Sequence, residues 1–294
     1  MVAVGRVADR QPRVVRGLRA GAVLRHAGMY VAALVVTLVI GFPLFWLVTT
    51  SFKNSVDIFT SPPRLLGYAP TLENWQRTVL DNERFLQYLL NSMAVAGSVT
   101  VVTVAAASLA AYSLARYEFL GSRLVALGIL AARLVPGATM IIPYFVLFRW
   151  YGLLDSVPGL SLAYTGFSLP FACWLMYGFF LDVPSEIEDS ARIDGCSDFG
   201  AFWRVALPLT LPGVGTTATL VFLGAWNEFL FALVLAGREA KTLPVFLASA
   251  VAEQFVRWGD LFAVATVMLV PVAVLVLLAQ RSLVRGLTAG AVKG

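Results

Sequence analysis

Two cysteines and a single histidine among 294 residues leave almost no material for a disulfide scaffold, a zinc cluster or thiol catalysis. Charge is equally scarce. Asp, Glu, Lys and Arg make up 13% of the chain, about half the roughly 25% of an ordinary soluble domain and too few to cover a globular surface. The only lysines are Lys53, Lys241 and Lys293, and no G-x-x-x-x-G-K-[ST] segment is present, so the chain has no loop of the kind that cradles ATP phosphates. Strand-like alternation over about ten residues is absent too, which argues against an outer-membrane barrel. No solenoid repeat or low-complexity tract occurs. What remains is hydrocarbon: 59% of residues are hydrophobic and the mean hydropathy is +0.80. Such a chain belongs in a bilayer.

Charge-free runs cover 27–52, 85–115, 156–181, 205–227 and 261–280, and a sixth, 124–148, is broken only by Arg133. Each is long enough to cross the hydrocarbon layer, for which about 20 apolar residues suffice. The expectation is an all-α integral membrane protein of six transmembrane helices over 27–280, with tails at 1–26 and 281–294. Pro43, Pro136, Pro143, Pro170, Pro212 and Pro271 fall inside these runs. Neighbouring helices tolerate such breaks by satisfying the freed backbone groups.

The first 26 residues carry Arg6, Arg10, Arg13, Arg16, Arg19 and Arg25 against a single acid, Asp9, which marks a cytoplasmic flank. The run that follows is too long for a signal-peptide core and ends without a cleavage pattern, so it reads as a retained anchor. Six crossings return the C-terminus to the cytoplasm. Thirteen of the 22 Lys and Arg then fall in inner segments, eight in outer ones, and Arg133 inside a helix.

One loop carries most of the information. Residues 182–208 include V-P-S-E-I-E-D-S-A-R-I-D-G-C-S-D-F-G-A-F-W-R-V-A-L-P. Ser185 and Glu188 have the spacing of a capping box after Pro184. Gly195 suits a left-handed turn ending that short helix, and Ser197 is placed to cap a second. Asp182, Glu186, Glu188, Asp189, Asp194 and Asp198 outnumber Arg192 and Arg204. A helix lying on the anionic inner leaflet needs the opposite sign, so the loop suits a protein partner, with Ile187 as an apolar anchor beside the small Ser190 and Ala191.

The spacing of Asp189, Ser190, Ala191 and Gly195, followed after nine residues by Val205, Ala206, Leu207 and Pro208, resembles the EAA loop of ABC importer permeases, E-A-A-x-x-x-G then I-x-L-P. Asp189 stands where that family usually has Glu, and Ser190 where it has Ala. S-F-K at 51–53, P-T-L-E-N-W at 70–75, W-N-E-F at 226–229 and the ending G-L-T-A-G-A-V-K-G resemble the sugar-importing branch, specifically the maltose-type second permease. The resemblance implies the type I importer permease fold in a bacterial inner membrane, a sister permease, a cytoplasmic ATP-binding subunit dimer and an extracytoplasmic sugar-binding protein. ATP and Mg would be held by the ATPase and no cofactor by this chain, which is then a transport subunit with no bond-making of its own. The lipid bilayer is its solvent, and nothing suggests a nucleic-acid partner. Coupling to the ATPase would fall on Glu188, Asp189, Ser190, Ala191, Asp194, Gly195, Leu207 and Pro208.

Passage of a neutral sugar needs hydrogen-bonding and stacking groups, for which Tyr144, Trp174, Tyr177 and Asn227 are the candidates, although aromatic residues in membrane helices more often pack or form interfacial belts. Two charges lie within the runs. Counted from Arg123, Arg133 is ten residues into the third helix, about 15 Å deep, and is expected to face the sister permease or a water-filled cavity, since a lipid-facing arginine at mid-depth costs roughly 2.5 to 3.5 kcal/mol even on the lenient insertion scale. Glu228 falls near the outer end of the fifth helix, at the outer mouth, and depth argues against an ion pair between the two. The alternative is an ion-coupled secondary transporter, which would need more intramembrane ionisable groups and internal repeats than are seen. An intramembrane enzyme is disfavoured because Cys173 has no nearby histidine.

Overall fold

The computed structural model describes residues 14–251 and 256–289, with side chains over 26–251 and 256–280. The arginines of the first 13 residues and the last five residues of the closing segment therefore lie outside the described residues. The longer helices are α1 (Val14–Thr50), α2 (Phe85–Arg116), α3 (Ser122–Ala132), α4 (Gly137–Trp150), α5 (Val157–Leu181), α6 (Ser185–Ile193), α7 (Asp198–Leu209, π-helical over Phe202–Ala206), α8 (Leu211–Trp226), α9 (Leu230–Leu235), α10 (Leu243–Val251) and α11 (Trp258–Ala289), with short helical turns at Ser55–Ile58, Glu73–Trp75 and Gln76–Leu80 between α1 and α2. Among the described residues there is no strand.

Four helices, α1, α2, α5 and α11, are individually long and apolar enough to span a membrane. The third and fifth expected spans are not straight helices. α3 and α4 meet at 97°, and α7 and α8 at 75°, so the count reaches six only if each bent pair is one span. Proline chemistry explains both breaks. A proline ring clashes with the carbonyl four residues back and has no N–H to donate. Pro136 directs that clash at Ala132, where α3 ends, and Pro212 directs it at Pro208, beside the break at Thr210. Pro43, Pro143, Pro170 and Pro271 stay inside continuous helices.

α2 and α5 form the centre of the bundle. Their facing surfaces carry Ala96, Ala107, Ala111, Ala163 and Ala172, all fully buried, and such small side chains let membrane helices approach closely. α8 completes this core with Val221, Ala225 and Trp226. By contrast, every residue of α1 from 26 to 40 is exposed, so the apolar surface of this span is uncovered over most of its length among the described residues.

Contacts at the two ends of α2 separate the loops into two groups. Near Phe85, Gln87 and Asn91 donate to the Glu239 carbonyl and Ser92 Oγ accepts from Leu243 N. At the other end Arg116 reaches Val183 and Glu188. α2 has 32 residues, about 48 Å at 1.5 Å per residue, so the two groups lie a membrane thickness apart.

Candidate coupling site and central cavity

α6 starts after Pro184, with no side chain capping its first turn. The capping box expected of Ser185 and Glu188 does not form. Glu188 turns inward instead and is 0% exposed. Its Oε1 accepts from Arg116 Nε at 2.8 Å and its Oε2 from the Tyr112 hydroxyl at 2.7 Å, while Arg116 Nη2 donates to the Val183 carbonyl at 2.8 Å. Two charge-assisted bonds in a dry interior outweigh a single cap to a solvated N–H, which is worth about 1 kcal/mol. Glu188 thus fastens α6 to the inner end of α2.

The rest of the loop is held locally. Arg192 pairs with Asp189 at 2.7 Å and with Asp198 at 2.9 Å, tying α6 to α7 across the turn. Gly195 sits at φ 94° as the end of α6 requires, and Ser197 Oγ accepts from Gly200 N at 3.1 Å, capping α7 as expected. Ser190 is exposed with its hydroxyl donating to the Glu186 carbonyl, Ala191 is half-buried, and Asp194 and Gly195 are exposed. Leu207 is half-buried and Pro208 exposed at the foot of α7, just before the bend. Ile187, Ile193, Phe199 and Trp203 remain exposed on this projection, Ile193 at 87%. It presents an apolar surface rimmed by acids, held to the bundle by a buried ion pair.

Arg133 and Glu228 prove to be neighbours of one cavity. A space of about 230 Å³ is lined by Arg133, by Tyr164, Ser168 and Phe171 of α5, by one face of α8, and by Glu228. The depth difference expected from straight helices is lost because the chain turns at Arg133 and α8 stops at Trp226. No ion pair joins the two charges among the described residues. The Arg133 guanidinium lies 4.2 Å from the centre of the Phe171 ring, and Glu228 accepts from Phe231 N at 2.9 Å and Ala232 N at 3.2 Å at the start of α9. Tyr164, 3% exposed, lines the same space, its hydroxyl beside the Glu228 carboxylate but outside good hydrogen-bonding geometry with it.

The four substrate-path candidates do not come together. Trp174 and Tyr177 stack with ring centres 6.2 Å apart and share a narrow cleft with Cys173. Tyr144 packs against Phe148 and Phe231, and Asn227 is exposed with its amide returned to the Leu223 carbonyl. None of the four lines the central cavity. Sequence reasoning missed Tyr112, Arg116 and Tyr164, and nothing in the linear order links them to Glu188 or Glu228.

At the opposite end, two distant motifs interlock. Asn74 donates to the Ser51 and Lys53 carbonyls at 3.0 and 2.8 Å, Trp75 Nε1 donates to Ser51 Oγ, and Phe52 stacks on Trp75. Lys53 is buried, with Nζ 4.1 Å from the Trp46 ring centre and donating to the Arg64 carbonyl. Arg77 forks onto Asp260 at the head of α11. Asp155 accepts backbone N–H bonds from Gly237, Arg238, Glu239 and Ala240. Burial alone would raise the Asp155 pKa, but these four donors outweigh it and hold the carboxyl below its ordinary value.

Residues 103–289, from mid-α2 through α11, match the binding-protein-dependent transport system inner membrane component family. The chain belongs to this family. Members of this inner-membrane family resemble it over almost their whole length. The trehalose/maltose transport system permease protein MalG of Thermococcus litoralis is 33% identical over 92% of this chain and 98% of its own. The trehalose transport system permease protein SugB of Mycobacterium tuberculosis is 38% identical over 88% and 95%, and the sulfoquinovosyl glycerol transport system permease protein SmoH of Agrobacterium fabrum is 38% identical over 86% and 89%. Among solved structures, a chain of a bacterial ABC transporter involved in import of the acidic polysaccharide alginate superposes with a TM-score of 0.73 at 20% identity, covering 93% of this chain and 99% of that one. The fold is therefore that of an ABC importer permease, and the membrane is the inner one.

Proposed function

We propose that this chain is one permease half of an ATP-driven, binding-protein-dependent importer of sugars. It would form part of the translocation path with a sister permease and receive substrate from an extracytoplasmic sugar-binding protein. The observation that carries this reading is the buried Glu188–Arg116–Tyr112 brace, which makes α6 a rigid extension of α2 while leaving Ile187 and Ile193 exposed. Such a lever passes the movement of a docked ATPase to the membrane helices as a rigid-body shift. Asp189, Ser190, Ala191, Asp194 and Gly195 supply its docking face, and Leu207 and Pro208 its hinge. The role of this chain is mechanical, with ATP and Mg held by the ATPase dimer. The transport systems to which MalG, SugB and SmoH belong, for trehalose/maltose, trehalose and sulfoquinovosyl glycerol, support a carbohydrate substrate.

Uptake of radiolabelled trehalose or maltose into right-side-out vesicles containing all subunits tests the proposal. Uptake should require internal ATP and survive collapse of the proton gradient by a protonophore. Uptake that persists without ATP and disappears with the gradient would establish the ion-coupled alternative instead.

A further inference from the structure

We propose that the cavity holding Arg133, Tyr164, Ser168 and Glu228 is a subsite for one neutral sugar ring within this permease half, an inference that rests on the import reading above. Three observations converge on it. Tyr164 is almost wholly buried and lines the cavity, its hydroxyl beside the Glu228 carboxylate but outside good hydrogen-bonding geometry with it. Buried hydroxyls are nearly always well bonded, and a ligand hydroxyl set between Tyr164 and Glu228 would satisfy both. The two charges of the cavity are opposite in sign and are not paired with each other. An acidic ligand would bring its charge beside the Glu228 carboxylate, and a basic one beside the Arg133 guanidinium. A neutral polyol suits both, since its hydroxyls accept from the guanidinium and donate to the carboxylate. Finally, Phe167 and Phe231 provide apolar faces for the C–H surface of a ring. At about 230 Å³ the space falls below the roughly 300 to 1,000 Å³ of pockets for drug-sized ligands. It therefore takes a single ring, and a longer sugar would pass unit by unit.

The test uses the complete transporter in liposomes: this chain, sister permease, ATPase and binding protein. Radiolabelled trehalose, maltose and N,N′-diacetylchitobiose are the probes. Tyr164→Phe removes only the buried hydroxyl. If that group merely packs, the variant transports like wild type. If it bonds sugar, the apparent KM for uptake rises about tenfold while the assembled complex is at least as heat-stable. Ser168→Cys, in a background carrying Cys173→Ala and Cys196→Ala, gives a second readout. The thiol should react with a small methanethiosulfonate reagent, the transported sugar should slow that reaction several-fold, and Glu228→Gln should speed reaction with the anionic form of the reagent. Unchanged KM in Tyr164→Phe together with no protection of Cys at 168 would overturn the subsite while leaving import intact, the cavity then holding water only. Absence of ATP-dependent uptake of all three sugars by the wild-type complex would overturn the import reading and the subsite with it.

Discussion

Replacing Glu188 with Ala should free α6 from the bundle. The substitution leaves the Arg116 guanidinium, whose side chain is 8% exposed, buried without its counter-charge, and it also strands the Tyr112 hydroxyl. Breaking a buried pair by removing one member costs about 3 to 5 kcal/mol, more than the pair contributes relative to apolar replacements, because the remaining charge is left uncompensated. The cost falls on the attachment of residues 183–195, so the readout is local. Hydrogen exchange of α6 amides in the detergent-solubilised complex should lose about two to four decades of protection, at 1.4 kcal/mol per decade, unless global opening sets a lower ceiling. Protection in the outer half of α2 should not change. Arg116→Ala should behave similarly, and the double variant Arg116→Met with Glu188→Met should regain most of the lost protection, since apolar pairs of matched volume are often neutral or better. If the two alanine effects simply add within about 0.5 kcal/mol, the pair does not act as a unit and the brace is refuted. If the double variant recovers protection and also full coupling of ATP hydrolysis to uptake, the charges are dispensable and only the attachment matters.

Gly195→Val should cost about 1 to 3 kcal/mol locally, because its φ of 94° is a left-handed conformation hostile to a β-branched residue even though open space surrounds it; Gly195→Asn should be far milder, and both are read as subunit assembly and transport-coupled ATPase activity at equal expression. Asn74→Ala should destabilise the outer lock by about 2 to 4 kcal/mol through loss of its two carbonyl contacts. Gly259→Ala should have a similar phenotype, since a Cβ there would meet the Asn74 amide at 2.5 Å, and limited proteolysis of 53–84 measures both. The Asp155 link follows from its lowered pKa. A carboxyl with a depressed folded pKa contributes stability above its unfolded value of about 3.9 and loses it as pH falls through the lower folded value. Protection of the 237–240 amides should therefore hold from pH 7 to about 5 and decline only below about 4, whereas Asp155→Asn should weaken it at every pH.

Much of this protein was legible in local sequence. Transfer of apolar runs out of water depends on composition alone, so the membrane class and the spans of α1, α2, α5 and α11 follow without tertiary information. Turn chemistry is local as well, which is why Gly195 and Ser197 occupy the positions expected of them. The bends were written in the sequence at Pro136 and Pro212, but an uninterrupted hydropathy run conceals a backbone break, since hydropathy does not register a missing N–H. Glu188 shows where tertiary structure decided. Its spacing from Ser185 suits a cap, yet a guanidinium 72 residues away outbids the exposed amide, and no local rule reports such a competitor. The cavity is of the same kind. Arg133, Tyr164 and Glu228 are brought together only by two bent spans packing against α5, because burial and charge pairing are properties of neighbours in space, and chain order does not specify them.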